Sequence, residues 1–258
     1  MHTPSSGWWR MEGDVKARIR ERIWRLMEER NIARFPRPVY GRIPNFVGAE
    51  DAARRAASLR VFRSAEVVKA NPDSPQRWLR MEALLQGKRL LMATPRLREG
   101  FLLLDPGRIP YRLLGEASTI RGAFRLGEKL PTPRSLARLG SIDLVVTGSV
   151  AVSPRTGARI GKGEGYAELE YGILRELGLV GEETPIITTV HEVQLVPEIP
   201  VEPHDVAIDI IVTPRRVIEV ESRPPRPPGI LWDRLSTEKL EAIPMLRMLR
   251  EEIRGSKG

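Results

Sequence analysis

Apolar positions in this chain recur with two different periods, and the changes between them mark out its elements. Ile19, Ile23, Leu26 and Met27 share one helical face while Lys16, Arg20 and Arg22 project elsewhere, so the spacing predicts a helix that Asp14 can cap. The segment "ARFPRPVYGRIPNF" breaks this helix with three prolines. Residues 50–59 and 75–86 resume the helical period around a short apolar "EVV" and the turn-like "NPDSP".

Five further segments read differently. "RLLMA", "FLLL", "IDLVVTGSVAV", "IITTV" and "VAIDIIVT" are short, rich in branched residues and nearly continuous in apolar character, as strands covered on both faces require. Their alternation with helices predicts an α/β fold: a three-layer, open, largely parallel Rossmann-like sheet flanked by helices. The pattern divides the chain into a flexible tail over residues 1–13, an α/β domain over 14–220 and an extension over 221–258. That extension opens with the proline-rich connector "ESRPPRPPGI" and continues into a C-terminal helix kinked or started at Pro244.

Composition narrows the chemistry. A chain of 258 residues that is 41% hydrophobic can bury a sizeable core. Without cysteine there is no disulfide, thiolate nucleophile or cysteine-based zinc site, and with no membrane-length apolar run or secretory leader the expected location is the cytoplasm. Arginine supplies 35 of the 42 basic residues, a bias that fits either the ion-pair networks of a thermophile or a GC-rich genome. The net charge of +9 favours anionic partners, nucleotide or nucleic acid among them, although basic residues stand beside acids throughout.

The most distinctive stretch is "RIGKGEGYAELEYG", where glycines stand at 161, 163 and 165 directly ahead of a helical pattern carrying Leu169, Ile173 and Leu177 on one face. A loop at a helix N-terminus offers unpaired amides and the positive end of the helix dipole, and glycine lets backbone approach phosphate oxygens closely. Arg159 and Lys162 add positive charge, and Arg159 can hold an oxygen pair bidentately. The spacing is neither the dinucleotide fingerprint nor a Walker loop, so as a bare pattern it fits a tight turn as well as a phosphate cradle.

A wider constellation favours the cradle. Lys16 and Arg20 four residues apart, the strand "DLVVTGSVAV", "RIGKGEGY", and His204–Asp205 before a last apolar run stand in the order found in the 5-formyltetrahydrofolate cyclo-ligase family. The chain resembles that family over residues 14–220, and most closely its methenyltetrahydrofolate synthetase domain-containing branch. The resemblance implies ATP- and Mg²⁺-dependent closure of 5-formyltetrahydrofolate to 5,10-methenyltetrahydrofolate through a phosphorylated formyl group, with a folate-type small molecule as partner.

It also implies roles. Lys16, Arg20, Arg159, Gly161, Lys162, Gly163, Gly165 and Tyr166 would bind ATP, with Lys162 and Arg159 neutralising charge on the transferred phosphoryl group. Asp73 and Tyr166 would meet the substrate. Ala167 and Glu168 follow Tyr166 where the family pattern has Tyr-Asp, so Glu168 would join Asp205 as a metal ligand, and His204 is assigned a structural hydrogen bond. Two other readings are an ATP-dependent enzyme for another formylated or pterin substrate, and a nucleotide- or RNA-binding module without catalysis.

Overall fold

The structure, a computed structural model, describes residues 7–255. Its centre is an eight-stranded sheet whose strands, in chain order, are β1 (Val67–Ala70), β2 (Arg89–Ala93), β3 (Phe101–Leu104), β4 (Glu128–Leu130), β5 (Leu144–Val146), β6 (Ile186–Thr189), β7 (Ile210–Val212) and β8 (Val217–Glu219). The spatial order is β8-β7-β6-β5-β1-β2-β3-β4. The five central strands are parallel, while β8, β3 and β4 pair antiparallel at the flanks. The chain winds outward in one direction through β2 and in the other through β5, so the order reverses between β1 and β5. In an open α/β sheet the crevice beyond the carboxyl ends of such a strand pair is where ligands bind.

Alternation along the central strands feeds two separate cores. Val67, Leu91, Val145, Ile186 and Ile211 face one cluster, to which α4 (Tyr166–Glu176) contributes Ile173 and Leu174 and α5 (Pro244–Gly255) contributes Met245, Leu246 and Leu249. Val68, Leu90, Leu144, Val146 and Val212 face the other, against α2 (Ala49–Ala57) and α3 (Arg77–Leu85). This two-sided burial is why the strands read as continuous apolar runs.

A third cluster docks α1 (Gly7–Glu29) on a small ribbon. Ile23, Trp24 and Met27 pack there with Ala151, Ala158 and Ile160, whose strands Ala151–Val152 and Arg159–Ile160 pair antiparallel. α1 begins at Gly7, so the helix does not start at Asp14, and the expected tail over 1–13 is helical from residue 7 onward. Residues 1–6 of that tail lie outside the described residues. The expected strand over 142–152 is divided: β5 ends at Val146 and the ribbon begins at Ala151. Pro244 starts a new helix after Thr237–Ala242, as its fixed φ and missing N–H favour. Among the described residues, no helix is long and apolar enough to cross a membrane.

The turn of the ribbon is locked to the sheet by Gly157. It lies at φ 68°, its amide donates to the Ser153 carbonyl, and its own carbonyl accepts from Ile208 N. A Cβ there would lie 2.1 Å from the Ile208 carbonyl oxygen. Gly157→Ala is therefore expected to lower unfolding free energy by about 3 kcal/mol, combining left-handed strain with overpacking. Urea denaturation checks this; an unchanged midpoint would contradict the close approach.

Candidate active site in the switch-point cleft

A cleft of about 650 Å³ opens at the reversal point, bounded by the turn after β1, the loop before α4 and the face of α1. Lys16, Arg20, Asp73, Arg159, Gly161, Lys162, Gly163, Gly165, Tyr166, Glu168, His204 and Asp205 all line it. Residues drawn from four distant parts of the sequence thus meet in one place.

The glycine loop owes its shape to backbone freedom and to Arg20. Gly163 has φ 99°, and Gly165, the N-terminal cap of α4, has φ 72°, both in the region that side chains rarely enter. Arg20 Nε donates to the Gly161 carbonyl at 2.8 Å. Its guanidinium lies so near Gly163 that a Cβ would approach its central carbon to 3.3 Å. Burial lowers the Arg20 pKa, opposed by Glu168, Asp205 and Glu202. The four-residue spacing that puts Lys16 and Arg20 on one face of α1 is what brings both to the cleft.

Arg159 is placed differently from its expected role. Its guanidinium is buried, with Nη1 donating to the Gly148 carbonyl at 2.6 Å and Nη2 to the Glu168 carboxylate. A side chain held on both sides by protein acceptors is not a free bidentate grip. It braces the loop from beneath, and its Nε is left without a partner. Burial, the largest single influence, works against the charged form of Glu168, but Arg159, a backbone hydrogen bond and His204 together hold this carboxyl below its usual range.

The expected metal pair is also rearranged. Glu168 faces Arg159, whereas Asp205 shares the Lys16 ammonium with Glu202, at 2.7 and 2.6 Å. Burial penalises the Glu202 carboxylate, yet Lys16, with His204 and Arg234, keeps its pKa low. Among the described residues, the group able to offer three ligand atoms within 4.8 Å of one another is Glu202, His204 and Asp205. Two carboxylates with an imidazole suit a divalent cation, and their hard oxygens are compatible with magnesium. Lys16 is thus a buried counterion to this acidic group; its side chain is 7% exposed.

Lys162 sits on the loop crest, 2.8 Å from Glu164 and more than a third exposed. Its charge also acts on Asp73 across the cleft. Desolvation raises the Asp73 pKa, and Lys162, Arg80 and Lys69 only partly offset it. The backbone of this turn is fixed from below: buried Arg80 donates through Nη1 to the Asn71 and Asp73 carbonyls at 2.6 and 2.9 Å, and through Nε to Ser118 O at 2.8 Å. Complete burial lowers the Arg80 pKa to about 10.

The floor of the cleft is a buried ion pair that helical and strand periods do not announce. Lys69, near the carboxyl end of β1, donates to Glu170 in the first turns of α4, and Asn71 Nδ2 donates to the same carboxylate oxygen at 3.0 Å. Asn71 Oδ1 stays buried and unpartnered at the cleft wall. A signal existed in the chain: one lysine inside the run "EVVKA", and glutamates at 168 and 170 on the helix after the glycines.

The glycine loop, the acidic group at its side and the switch-point position together define a charged cleft of the α/β class. A family profile for the 5-formyltetrahydrofolate cyclo-ligase family matches residues 12–214, and the chain belongs to that family. It is 47% identical over 244 residues to the mouse methenyltetrahydrofolate synthase domain-containing protein, covering 93% of this chain and 64% of that protein. The human counterpart is 44% identical over 245 residues, covering 93% and 63%. The chain therefore spans less than two thirds of the length of these relatives. A 5-formyltetrahydrofolate cyclo-ligase of Mycolicibacterium smegmatis is 33% identical over 99 residues, 38% of this chain and 47% of that one. Among solved structures, 5,10-methenyltetrahydrofolate synthetase of Aquifex aeolicus superposes with a TM-score of 0.48 at 18% identity, covering 86% of this chain and 100% of that chain.

Removing Lys69 would leave Glu170 buried without its cation. Burial already raises the Glu170 pKa, with Lys69 the main opposing influence. A raised carboxyl favours folding while protonated, so that stability is present below the unfolded-state pKa and is lost as pH climbs toward the folded value. Lys69→Met is expected to cost about 3 kcal/mol at neutral pH and distinctly less near pH 5. Denaturation curves at the two pH values check this, and the double variant Lys69→Met/Glu170→Gln should lose the extra pH dependence.

Proposed function

We propose that this chain closes 5-formyltetrahydrofolate to 5,10-methenyltetrahydrofolate, using ATP and a magnesium ion. The observation that carries the reading is the loop at 161–165: left-handed glycines at the start of a helix, bonded to Arg20 and facing Asp73 across a switch-point cleft, in a chain of this family. ATP would supply a phosphoryl group to the formyl oxygen, which then leaves as phosphate when N10 bonds the formyl carbon and gives up its proton.

The protein's work in such a reaction is positioning and charge neutralisation, because the chemistry needs no side-chain nucleophile. The loop amides and the N-terminus of α4 would receive phosphate oxygens. Arg20 would contribute the guanidinium nitrogens not used on Gly161. Lys162, across from Asp73, would lie against the transferred group and offset its negative charge. Arg159 would act on the loop's shape and not on the phosphates. Glu202 and Asp205, with His204 beside them, would hold the metal, sharing their carboxylates between it and the Lys16 ammonium.

Asp73 and Tyr166 would border the folate. Desolvation pushes the Asp73 pKa up, with Lys162, Arg80 and Lys69 opposing. The buried, unpartnered Asn71 Oδ1 offers a further acceptor at the same wall.

Incubation with 5-formyltetrahydrofolate, ATP and magnesium should yield the ultraviolet absorbance of the methenyl product, and EDTA should suppress it. Lys162→Ala is expected to lower kcat/KM about 100-fold without shifting the melting temperature. Product formed equally well without ATP, or no product from folded protein, would refute the proposal.

A further inference from the structure

The segment beyond residue 220 runs along α4 from its C-terminal to its N-terminal end, and this places a lysine on the glycine loop. At the far end of α4, Glu176 accepts from Ile230 N at 3.0 Å and from Trp232 Nε1 at 3.2 Å. Midway, Gly172 admits the strap so closely that a Cβ would stand 3.0 Å from the Ile230 side chain. At the near end, Lys239 in the short helix Thr237–Ala242 donates to the Glu164 carbonyl at 2.6 Å. The Lys239 ammonium also lies 5.5 Å from the centroid of the Tyr166 ring, within cation–π range. A Cβ on Gly165 would meet it at 3.0 Å.

From this contact set we infer that Lys239 is a positioning residue for the nucleotide-binding loop. A carbonyl held backward by an ammonium turns its peptide unit, and the N–H on the other side of that unit is the one of Gly165, at the cap of α4. Arg20 holds the Gly161 carbonyl from the α1 side, so two cations on opposite flanks fix two carbonyls of one loop. Amides between them are thereby aimed without any side chain of the loop itself. Gly165 serves two needs here, since it takes φ 72° and leaves room for the ammonium. Lys239 lies outside the residues 12–214 matched by the family, so the device belongs to the extension.

The strap is built to hold that position. Arg226 is buried and donates to the Ala207, Glu182 and Thr184 carbonyls and to Asp209, while Arg223 bonds Asp209 and Glu182. Downstream, Met245, Leu246 and Leu249 of α5 enter the core. Residue 239 is therefore suspended between two fixed points.

This inference rests on the reading of the loop as the ATP site, and its test separates the two. Hydrogen exchange of the unliganded full chain is compared for Lys239→Met, Lys239→Arg and the exposed control Glu238→Ala. In Lys239→Met, the amides of Leu169 and Glu170, the first hydrogen-bonded ones after the loop, should exchange about tenfold faster and so report the loop, while β1, β5 and β6 stay protected; Arg should restore most of the protection and the control should match wild type. ATP affinity by calorimetry should fall about tenfold in Lys239→Met, equivalent to about 1.4 kcal/mol. Unchanged loop exchange in Lys239→Met would overturn the inference. Equal acceleration across core strands would also overturn it, because that outcome describes a general loss of stability. Altered loop exchange with no ATP binding by the wild type would refute the nucleotide reading and leave the positioning role standing.

Discussion

Beneath the cleft, the ammonium of Lys69 and the carboxylate of Glu170 join the strand at the switch point to the helix that follows the glycine loop. Both side chains are almost fully buried, so neither charge is tolerable without the other. The pair therefore acts as a registration contact: it holds α4 over the carboxyl end of β1 in one arrangement, with Asn71 as the third member. The loop before α4 and the turn after β1 are the two walls of the site. Their separation follows from that one buried bond and from Arg80, which gathers the carbonyls of the turn.

The charges above this floor are arranged in paired sets, one of which carries a second carboxylate. Arg159 meets Glu168, Lys16 meets Glu202 and Asp205, and Lys162 meets Glu164. The net charge of +9 is not what distinguishes this cleft; the placement of a few paired groups is. Within those sets Arg20 keeps guanidinium nitrogens not used on Gly161, whereas both terminal nitrogens of Arg159 are engaged by Gly148 and Glu168.

Much of this was legible along the chain. "RLLMA" and "FLLL" coincide with β2 and β3, and the helices after 48, 76 and 165 begin within two residues of where the apolar period places them. Lys16 and Arg20 could be paired by helical spacing, and alternate glycines signalled a loop needing unusual backbone. What escaped the reading was three-dimensional pairing. No local pattern says that Arg159 turns inward to Gly148, that Glu202 and not Glu168 stands beside Asp205, or that Lys69 finds Glu170 across 101 positions. The flanking strands β4 and β8 were also missed, since three residues such as "EKL" carry too short a period to register.

Those two short flanking strands govern how the sheet ends. A parallel hydrophobic centre leaves open rows of backbone donors and acceptors at its borders, which invite a second molecule to continue the ladder. Here each border is only three residues long, with Glu128 and Lys129 exposed on one and Glu219 on the other. A neighbour adding itself there would gain few backbone bonds and would have to desolvate charge. The molecule thus carries its apolar sheet in water with a built-in barrier to growing into a fibre.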